Sequence, residues 1–523
     1  ENLIKNTGVH PSGIAICSQS IGDVVPLQKT KDGDLITGYN MHDVADLMVK
    51  FDILGLRTLT IAHRTCDKIG ISVDDIDAND SFIYDKLQSY NHPEGLFQIS
   101  ADTNFRVCQE VKPDNLDELS DVVALARPAA LQFVAEYCNQ KMAPSDLNLH
   151  PELDKILSWS KNVILYQEQL MQIAHKVFGF TLEEAETLRR IVGKKKVDEM
   201  PAWEEKIYTA GEKLGLGEEI CKFYWDALDA SANYSFNKSH SFAYAELAAK
   251  TVYLKYKYPR EFFLSVLESS EFDPDPLGVV SSVHQELDYF GIKLLPPNLF
   301  KSKMNFSIEG DDIRYGLNGI KGISSKSKEG LLSFKGSDGF EGKYDVFAAA
   351  KNCGINISVL AALIQAGAMD ESTNKRGRLV LEAQKFCNWW YENTLLGYSY
   401  SFDLRDCFED EFGSMSCLRD VDEISERTSF KVVCQVKDFF TNISQSGNKY
   451  MMIHGSDNTG SAKFLIMDNS RSSTLSDFLS QYKISKDCIL VLNASKGRGT
   501  SFVNSARVVD TKIMMKLKDL NKK

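Results

Sequence analysis

Leu47-Met-Val-Lys-Phe-Asp52-Ile-Leu-Gly-Leu-Arg57-Thr58 is the stretch on which the reading of this chain turns. Leu47, Met48, Val49, Phe51, Ile53, Leu54 and Leu56 are apolar and Gly55 closes the run, a pattern that predicts a buried strand. Lys50 and Asp52 are set into it. An ionised carboxylate is costly to bury unless a cation, a metal or several donors compensate it. Asp52 therefore has two readings. It is a metal ligand at the end of a core strand, or a half-exposed edge residue paired with Lys50 or Arg57.

At 523 residues the chain exceeds a single core, and its length predicts about three domains. Hydrophobic residues at 43% and charged residues at 25% are globular proportions, which argues against a disordered or fibrous chain. No run approaches the roughly 18 uncharged apolar residues of a membrane span, so no membrane contact is expected. No secretory signal opens the sequence, and its first residue is Glu, so part of a longer or processed product is expected. The eleven cysteines include no C-x-x-C pair, which argues against zinc or a disulfide framework and for the reducing cytoplasm. The net charge of −12 does not itself suggest a nucleic-acid binder, but local basic stripes decide phosphate binding.

Outward from Asp52, Gly8-Val-His10-Pro-Ser12-Gly13 reads as a turn feeding a strand, with His10 and Ser12 either touching phosphate or merely turning the chain. Asp43 and Asp46 share a helical face and read as a solvated acidic turn. A helix starts at Thr58 and runs towards Gly70. Residues 75–160 are mostly helical, and Pro128 places Arg127 at or just past a helix end.

The region 161–260 is the richest. Val163 to His175, including Tyr166, reads as a largely buried helix, and Thr181-Leu-Glu-Glu184 is a capping box that opens the next one. Arg189, Arg190, Lys194, Lys195 and Lys196 crowd the end of that second helix, as a phosphate cradle or as a solvated basic turn. Further on, Phe236-Asn237-Lys238-Ser239-His240-Ser241 reads as a helix start with Ser239 as N-cap, and that helix stops before Pro259. Free N–H groups and a cation at a helix start suit an anion. Along the helix and just past it, Lys250, Lys255, Lys257 and Arg260 interleave with Tyr253, Tyr256 and Tyr258, facing a nucleic-acid backbone or packing with snorkelling lysines.

Gly319-Ile-Lys321-Gly322 has the glycine spacing of a helix–hairpin–helix turn, whose exposed N–H groups grip phosphate. Asp403 to Glu426 reads as an acidic linker. From about residue 430, short strands separated by turn signals predict a five-stranded barrel of the OB type, or a generic barrel that binds nothing.

Several of these motifs, in this order, resemble the alpha subunit of bacterial DNA polymerase III, the family C replicative polymerases. They are Val49-Lys-Phe-Asp52, Tyr166-Gln-Glu-Gln, Leu188-Arg-Arg-Ile-Val-Gly-Lys-Lys-Lys and Phe236-Asn-Lys-Ser-His-Ser. Gly8-Val-His-Pro-Ser-Gly, Leu96-Phe-Gln-Ile-Ser, Ala126-Arg-Pro-Ala-Ala-Leu and Leu294-Leu-Pro-Pro-Asn also resemble it. The resemblance implies an α+β multidomain chain. Residues 1–62 would be a palm remnant with a mixed β-sheet, and 63–305 large, mostly helical fingers. A helix–hairpin–helix region over 306–400, an acidic linker over 401–428 and an OB-type barrel over 429–523 would follow.

The same resemblance implies a DNA-directed DNA polymerase joining dNTPs to a primer 3′-hydroxyl by two-metal phosphoryl transfer with Mg²⁺. Asp52 matches the third palm aspartate and is the implied catalytic residue and metal ligand. Lys50, Arg127, Tyr166, Arg189, Arg190, Asn237, Lys238, Ser239 and His240 match residues at the incoming nucleotide. Lys194, Lys195, Lys196, Gly319, Lys321 and Gly322 are implied DNA contacts. Implied partners are primer-template DNA, dNTPs and other replisome proteins, within a bacterial or phage-infected cell.

The family's Asp-x-Asp pair, PHP domain, phosphate loop and most of the thumb have no counterpart here. The chain alone is therefore expected to be inactive and to need an amino-terminal polymerase piece. No sliding-clamp motif is found between Met369 and Leu395, which leaves clamp contact open, and Arg127-Pro-Ala-Ala stands where the family usually has Arg-Pro-Gly-Pro. The alternative is a non-catalytic DNA-binding subunit that retains the polymerase fold.

Overall fold

The computed structural model describes residues 8–10, 12–53, 55–193, 199–231, 236–335, 343–369, 385–444, 447–468, 474–497 and 500–509. The chain divides into two compact units, 1–60 and 61–523.

In the first unit, β1 (Gly13–Ile16) pairs antiparallel with β4 (Val49–Asp52), and β2 (Leu27–Lys29) pairs antiparallel with β3 (Leu35–Thr37). The mixed sheet expected for residues 1–62 is therefore not formed among the described residues. Instead there are two antiparallel ladders of two strands each. Nor is β4 buried, since all four of its residues are exposed and Val49 and Phe51 are each more than half exposed. Two strands with only the seven-residue helix Met41–Leu47 beside them have too little cover to bury both faces. The unit's own core is small, built around Val25, Val44 and Met48.

The second unit is mainly helical up to residue 290. Helix α1 (Arg57–Ile69) turns Ile61, Ala62, Thr65 and Cys66 inward and stops at Gly70, whose φ of +78° suits glycine. Helix α2 (Leu116–Leu125) is N-capped by Asn115 and almost wholly buried. Helix α3 (Val134–Met142) follows, then α4 (Gln167–Lys176) and α5 (Leu182–Gly193). The α5 capping box forms, with Thr181 N–H donating to Glu184 and Glu184 N–H donating to the Thr181 hydroxyl.

Helix α6 (Lys238–Lys257) packs along α2 through Ala245, Ala248, Ala249 and Val252. Its N-cap is Asn237 rather than Ser239. Asn237 is extended and its Oδ1 accepts from His240 N–H at 3.0 Å, which leaves Ser239 inside the first turn. Two of the basic residues in the body of α6, Lys250 and Lys255, are buried. Lys255 is fully buried and donates to the carbonyls of His92 and Glu94, both at 2.7 Å, and to Glu286. Lys250 pairs with Glu246, and Lys257 bonds the Tyr253 hydroxyl. The packing account of this helix therefore holds over the nucleic-acid one.

Beyond a small sheet, β5 (Leu294–Leu295), β7 (Asp312–Arg314) and β6 (Ser307–Glu309) in that order, come α7 (Lys328–Lys335), α8 (Lys343–Asn352), α9 (Ile357–Gln365) and α10 (Lys385–Leu396). Residues 401–428, expected as a linker, are instead packed. Leu404, Phe408, Leu418 and Val421 are buried between α10 and the strands that follow, because apolar residues alternate with the acidic ones.

Five strands complete the unit: β8 (Ser429–Ile443), β9 (Lys449–Ser456), β10 (Ser461–Met467), β11 (Ile489–Lys496) and β12 (Ser501–Val508). They close on themselves in the order β10-β12-β11-β8-β9, with α11 (Thr474–Gln481) between β10 and β11. Asn458 fastens this sheet to the preceding region. Its Oδ1 accepts from Trp389 Nε1–H at 2.8 Å, and its Nδ2 donates to the carbonyls of Ser399 and Phe402. Among the described residues no helix is long and apolar enough to cross a membrane.

Candidate nucleotide site and catalytic carboxylate

Asp52 ends β4 opposite Gly13 of β1. Its Oδ1 lies 3.3 Å from Lys50 Nζ and 3.8 Å from His10 Nε2, and the lysine and histidine nitrogens are 3.4 Å apart. Lys50 and Asp52 meet because residues two apart share a strand face. Gly13 leaves room for the cluster, since a Cβ there would stand 2.8 Å from His10 Nδ1. With its side chain 45% exposed, Asp52 is the half-exposed, ion-paired residue of the second reading. Among the described residues no group of three or more His, Cys, Asp or Glu could hold a metal ion. One carboxylate beside an ammonium does not fit two Mg²⁺ ions.

In the second unit, the segment Tyr166-Gln-Glu-Gln opens α4 beside the head of α6. Gln167 N–H donates to the Phe236 carbonyl at 2.9 Å and Phe236 N–H donates to the Leu165 carbonyl at 3.0 Å. Glu168 then reaches across. It accepts from Asn237 Nδ2 at 2.9 Å and from Lys238 N–H at 3.0 and 3.1 Å, a carboxylate placed where the helix dipole favours it. Gln167 Oε1 accepts from Arg189 Nη1 at 3.1 Å, which brings α5 to the same place.

Cations gather around this junction. Arg189 makes a bidentate pair with Glu186, both bonds 2.7 Å, and Arg190 Nε donates to the same carboxylate at 2.8 Å. These hydrogen bonds, from Arg189 first, draw the Glu186 carboxyl down to about 2. Lys238 Nζ lies 3.6 Å from the Trp159 ring centre and 3.3 Å from Asp117. The Arg127 guanidinium lies 3.6 Å from the Phe236 ring centre, and partial burial lowers its pKa. The His240 ring lies 4.1 Å from that of Tyr244, and Ser239 is exposed beside it. The structure thus links Arg127, Arg189, Asn237 and Lys238 through two short segments, 165–168 and 236–238, while Arg190 joins them through Glu186.

Tyr166 is a correction. It is fully buried, its ring stacks on Trp159, and its hydroxyl donates to Asp121 at 2.8 Å, so it does not face a nucleotide. A second correction concerns the hairpin. Gly319 N–H donates to the Gly316 carbonyl and Lys321 N–H to that of Leu395, so these are not free phosphate donors. The turn is folded tightly against Tyr315 and Phe306, which a Cβ on Gly319 would approach to 2.8 and 3.0 Å. Lys194, Lys195 and Lys196 lie outside the described residues.

Residues missed from sequence include Glu186, Glu168, Trp159 and the hairpin between α8 and α9. Glu186 was legible as the i, i+3 and i, i+4 partner of Arg189 and Arg190. The hairpin had a signal in Asn352-Cys-Gly354-Ile-Asn356, where Gly354 has φ of +71° and Asn356 caps α9. Trp159 and Glu168 are placed by long-range folding and had none.

Residues 57–215 match the model for the bacterial DNA polymerase III alpha subunit finger domain, and residues 1–55 that for the bacterial DNA polymerase III alpha NTPase domain. Residues 291–379 match the helix-hairpin-helix motif. The chain is 34% identical over 392 residues to DNA polymerase III subunit alpha of Aquifex aeolicus, covering 73% of this chain and 33% of that protein. It is 31% identical over 413 residues to the protein of that name from Thermus aquaticus (76% and 33%), and 32% identical over 402 residues to that of Escherichia coli (73% and 34%). Polymerase-type fingers and a helix–hairpin–helix region thus define the class. The chain belongs to the bacterial DNA polymerase III alpha subunit family, and it spans about a third of the length of these curated relatives.

Proposed function

We propose that this chain binds the incoming dNTP and DNA within a replicative DNA polymerase and supplies one catalytic carboxylate, Asp52, for template-directed nucleotide transfer to a primer 3′-hydroxyl. The observation that carries this reading is that Gln167 and Glu168 hold Arg189, Asn237 and the Lys238 backbone N–H at one junction, with Arg127 against Phe236 beside it, which suits a triphosphate. Residues 1–62 act as part of the palm, 63–305 as fingers, 306–400 as the helix–hairpin–helix region and 429–523 as an OB-type domain.

The OB reading is supported by strand order, with the third strand closing on the fifth, and by the helix α11 between strands three and four. Phe440 lies close to Tyr450 and His454 on β8 and β9, giving aromatic faces for single-stranded template. The other palm carboxylates come from an amino-terminal piece, and the exposed Val49, Phe51 and Ile53 on the β1–β4 ladder suit such a partner. The site of action is the interior of a bacterial or phage-infected cell.

A non-catalytic DNA-binding subunit is the second reading, favoured by the pairing of Asp52 with Lys50 rather than with further carboxylates. The test mixes this chain with a family polymerase segment carrying the Asp-x-Asp motif, primed template, dNTPs and Mg²⁺. Extension is expected, and Asp52→Asn is expected to abolish it while DNA binding survives. Absence of extension would leave the binding-subunit reading.

A further inference from the structure

Beneath the Gln167–Glu168 turn lies a polar cluster that touches no solvent. Asp121, on α2, is 1% exposed, and its carboxylate accepts from Tyr137 Oη at 2.7 Å and from Tyr166 Oη at 2.8 Å. Ser120 Oγ lies 3.0 Å from both Tyr166 Oη and Ser241 Oγ, and Ser241 Oγ donates to the Ser120 carbonyl at 2.7 Å. Asp121 is thus held by two phenol hydroxyls rather than by a salt bridge with an arginine or lysine. A buried carboxylate needs directional donors, and these fix both atoms of each pair in place.

The two tyrosines differ in their neighbours along the chain. Tyr137 sits in α3, which carries none of the candidate nucleotide residues. Tyr166 is the residue immediately before Gln167 and Glu168, the side chains that hold Arg189 and the head of α6. Ser241, at the other end of the cluster, is in the first turn of α6, three residues beyond Lys238. The cluster therefore grips, from below, both short segments to which the cations are tied.

We propose that Asp121 and Tyr166 are positioning residues for dNTP binding, holding the Gln167–Glu168 turn and the head of α6 in the register that places Arg189 and Lys238 on one triphosphate. This inference rests on reading that junction as the nucleotide site. Tyr166 acts through its neighbours and touches no substrate.

The experiment measures dATP binding with Mg²⁺ to the full chain by calorimetry, for the native protein, Tyr166→Phe, Asp121→Asn and Tyr137→Phe, alongside the thermal midpoint of each. Tyr166→Phe is expected to weaken dATP binding about tenfold, the scale of one lost hydrogen bond to a charged group. Asp121→Asn, which keeps an acceptor for Tyr166, should weaken it less. Tyr137→Phe removes an equal donor from the same carboxylate, so it should lower the thermal midpoint similarly while leaving dATP affinity near the native value. Native affinity in Tyr166→Phe, or an equal loss in Tyr137→Phe, overturns the proposal. If the native chain itself binds no dATP, the nucleotide-site reading falls instead.

Discussion

Strand β4 carries Val49 and Phe51, and strand β11 carries Ile489, Leu490, Val491 and Leu492. On composition alone they are hard to tell apart, yet Phe51 is 52% exposed while Leu490 and Leu492 have no exposure at all. Strand β11 has a hydrogen-bonded neighbour on each side in a sheet that closes on itself, whereas among the described residues β4 pairs with β1 alone. The closed sheet wraps its inward side chains around a shared interior, and the ladder has only a small core around Val25, Val44 and Met48 against it. Burial is a property of closure, and apolar residues express it only where a second layer exists. Carboxylates repeat the contrast. Asp52 is half exposed and ion-paired, and Asp121 is sealed among hydroxyls.

The largest expected effect separates the two kinds of strand. Phe464→Ala, in the sheet interior, should cost about 3–5 kcal/mol in urea denaturation, whereas Phe51→Ala should stay within about 0.5 kcal/mol. Similar losses from both would break the comparison. Next comes pH. Burial pushes the Asp121 carboxyl up to about 7, with Tyr137, Tyr166, Lys238 and Asp117 as the groups acting on it. The folded state therefore holds a proton that the unfolded chain releases near pH 4. The corresponding stability, on the order of 4 kcal/mol, is fully present below that pH and is lost as pH rises through about 7. Denaturation midpoints of Asp121→Asn should lack this slope, and a slope retained in that variant would remove Asp121 as its source.

Arg189→Ala removes bonds to both Gln167 and Glu186, and it should raise the dNTP KM by about tenfold or more in a reconstituted extension assay. An unchanged KM would take Arg189 out of the site. Trp389→Phe deletes the indole donor to Asn458. It should lower stability by about 1 kcal/mol, read as an earlier loss of the barrel's attachment in limited proteolysis.

Several helix ends and the positions of the strands after residue 430 were legible because they follow from local rules. The Thr181 capping box, the stop at Gly70 and the turn-separated apolar runs after residue 430 all report short-range chemistry. The candidate site was legible as a set of cations and not as an arrangement. Arg189 and Lys238 are 49 positions apart and meet only through Gln167 and Glu168, a relation that periodicity does not encode. Tyr166 follows the apolar run Val163-Ile-Leu and was read from its residues as buried, which Asp121 and Trp159 bear out by sealing it, while its expected place at the nucleotide came from the resemblance alone. The linker reading of residues 401–428 gave weight to their charge and overlooked Leu404, Phe408 and Leu418 spaced between the acids.

The two ladders of the first unit also bear on how this protein behaves at high concentration. A two-stranded ladder leaves a row of backbone donors and acceptors along each outer edge, and here those edges are flanked by exposed Ile14, Ile16, Val49 and Phe51. Such edges template pairing with another copy, and the charges of Lys50 and Asp52 are the local brake on it. Removing either charge trades solubility for self-association, so the residue singled out for chemistry also helps to keep the isolated chain from aggregating.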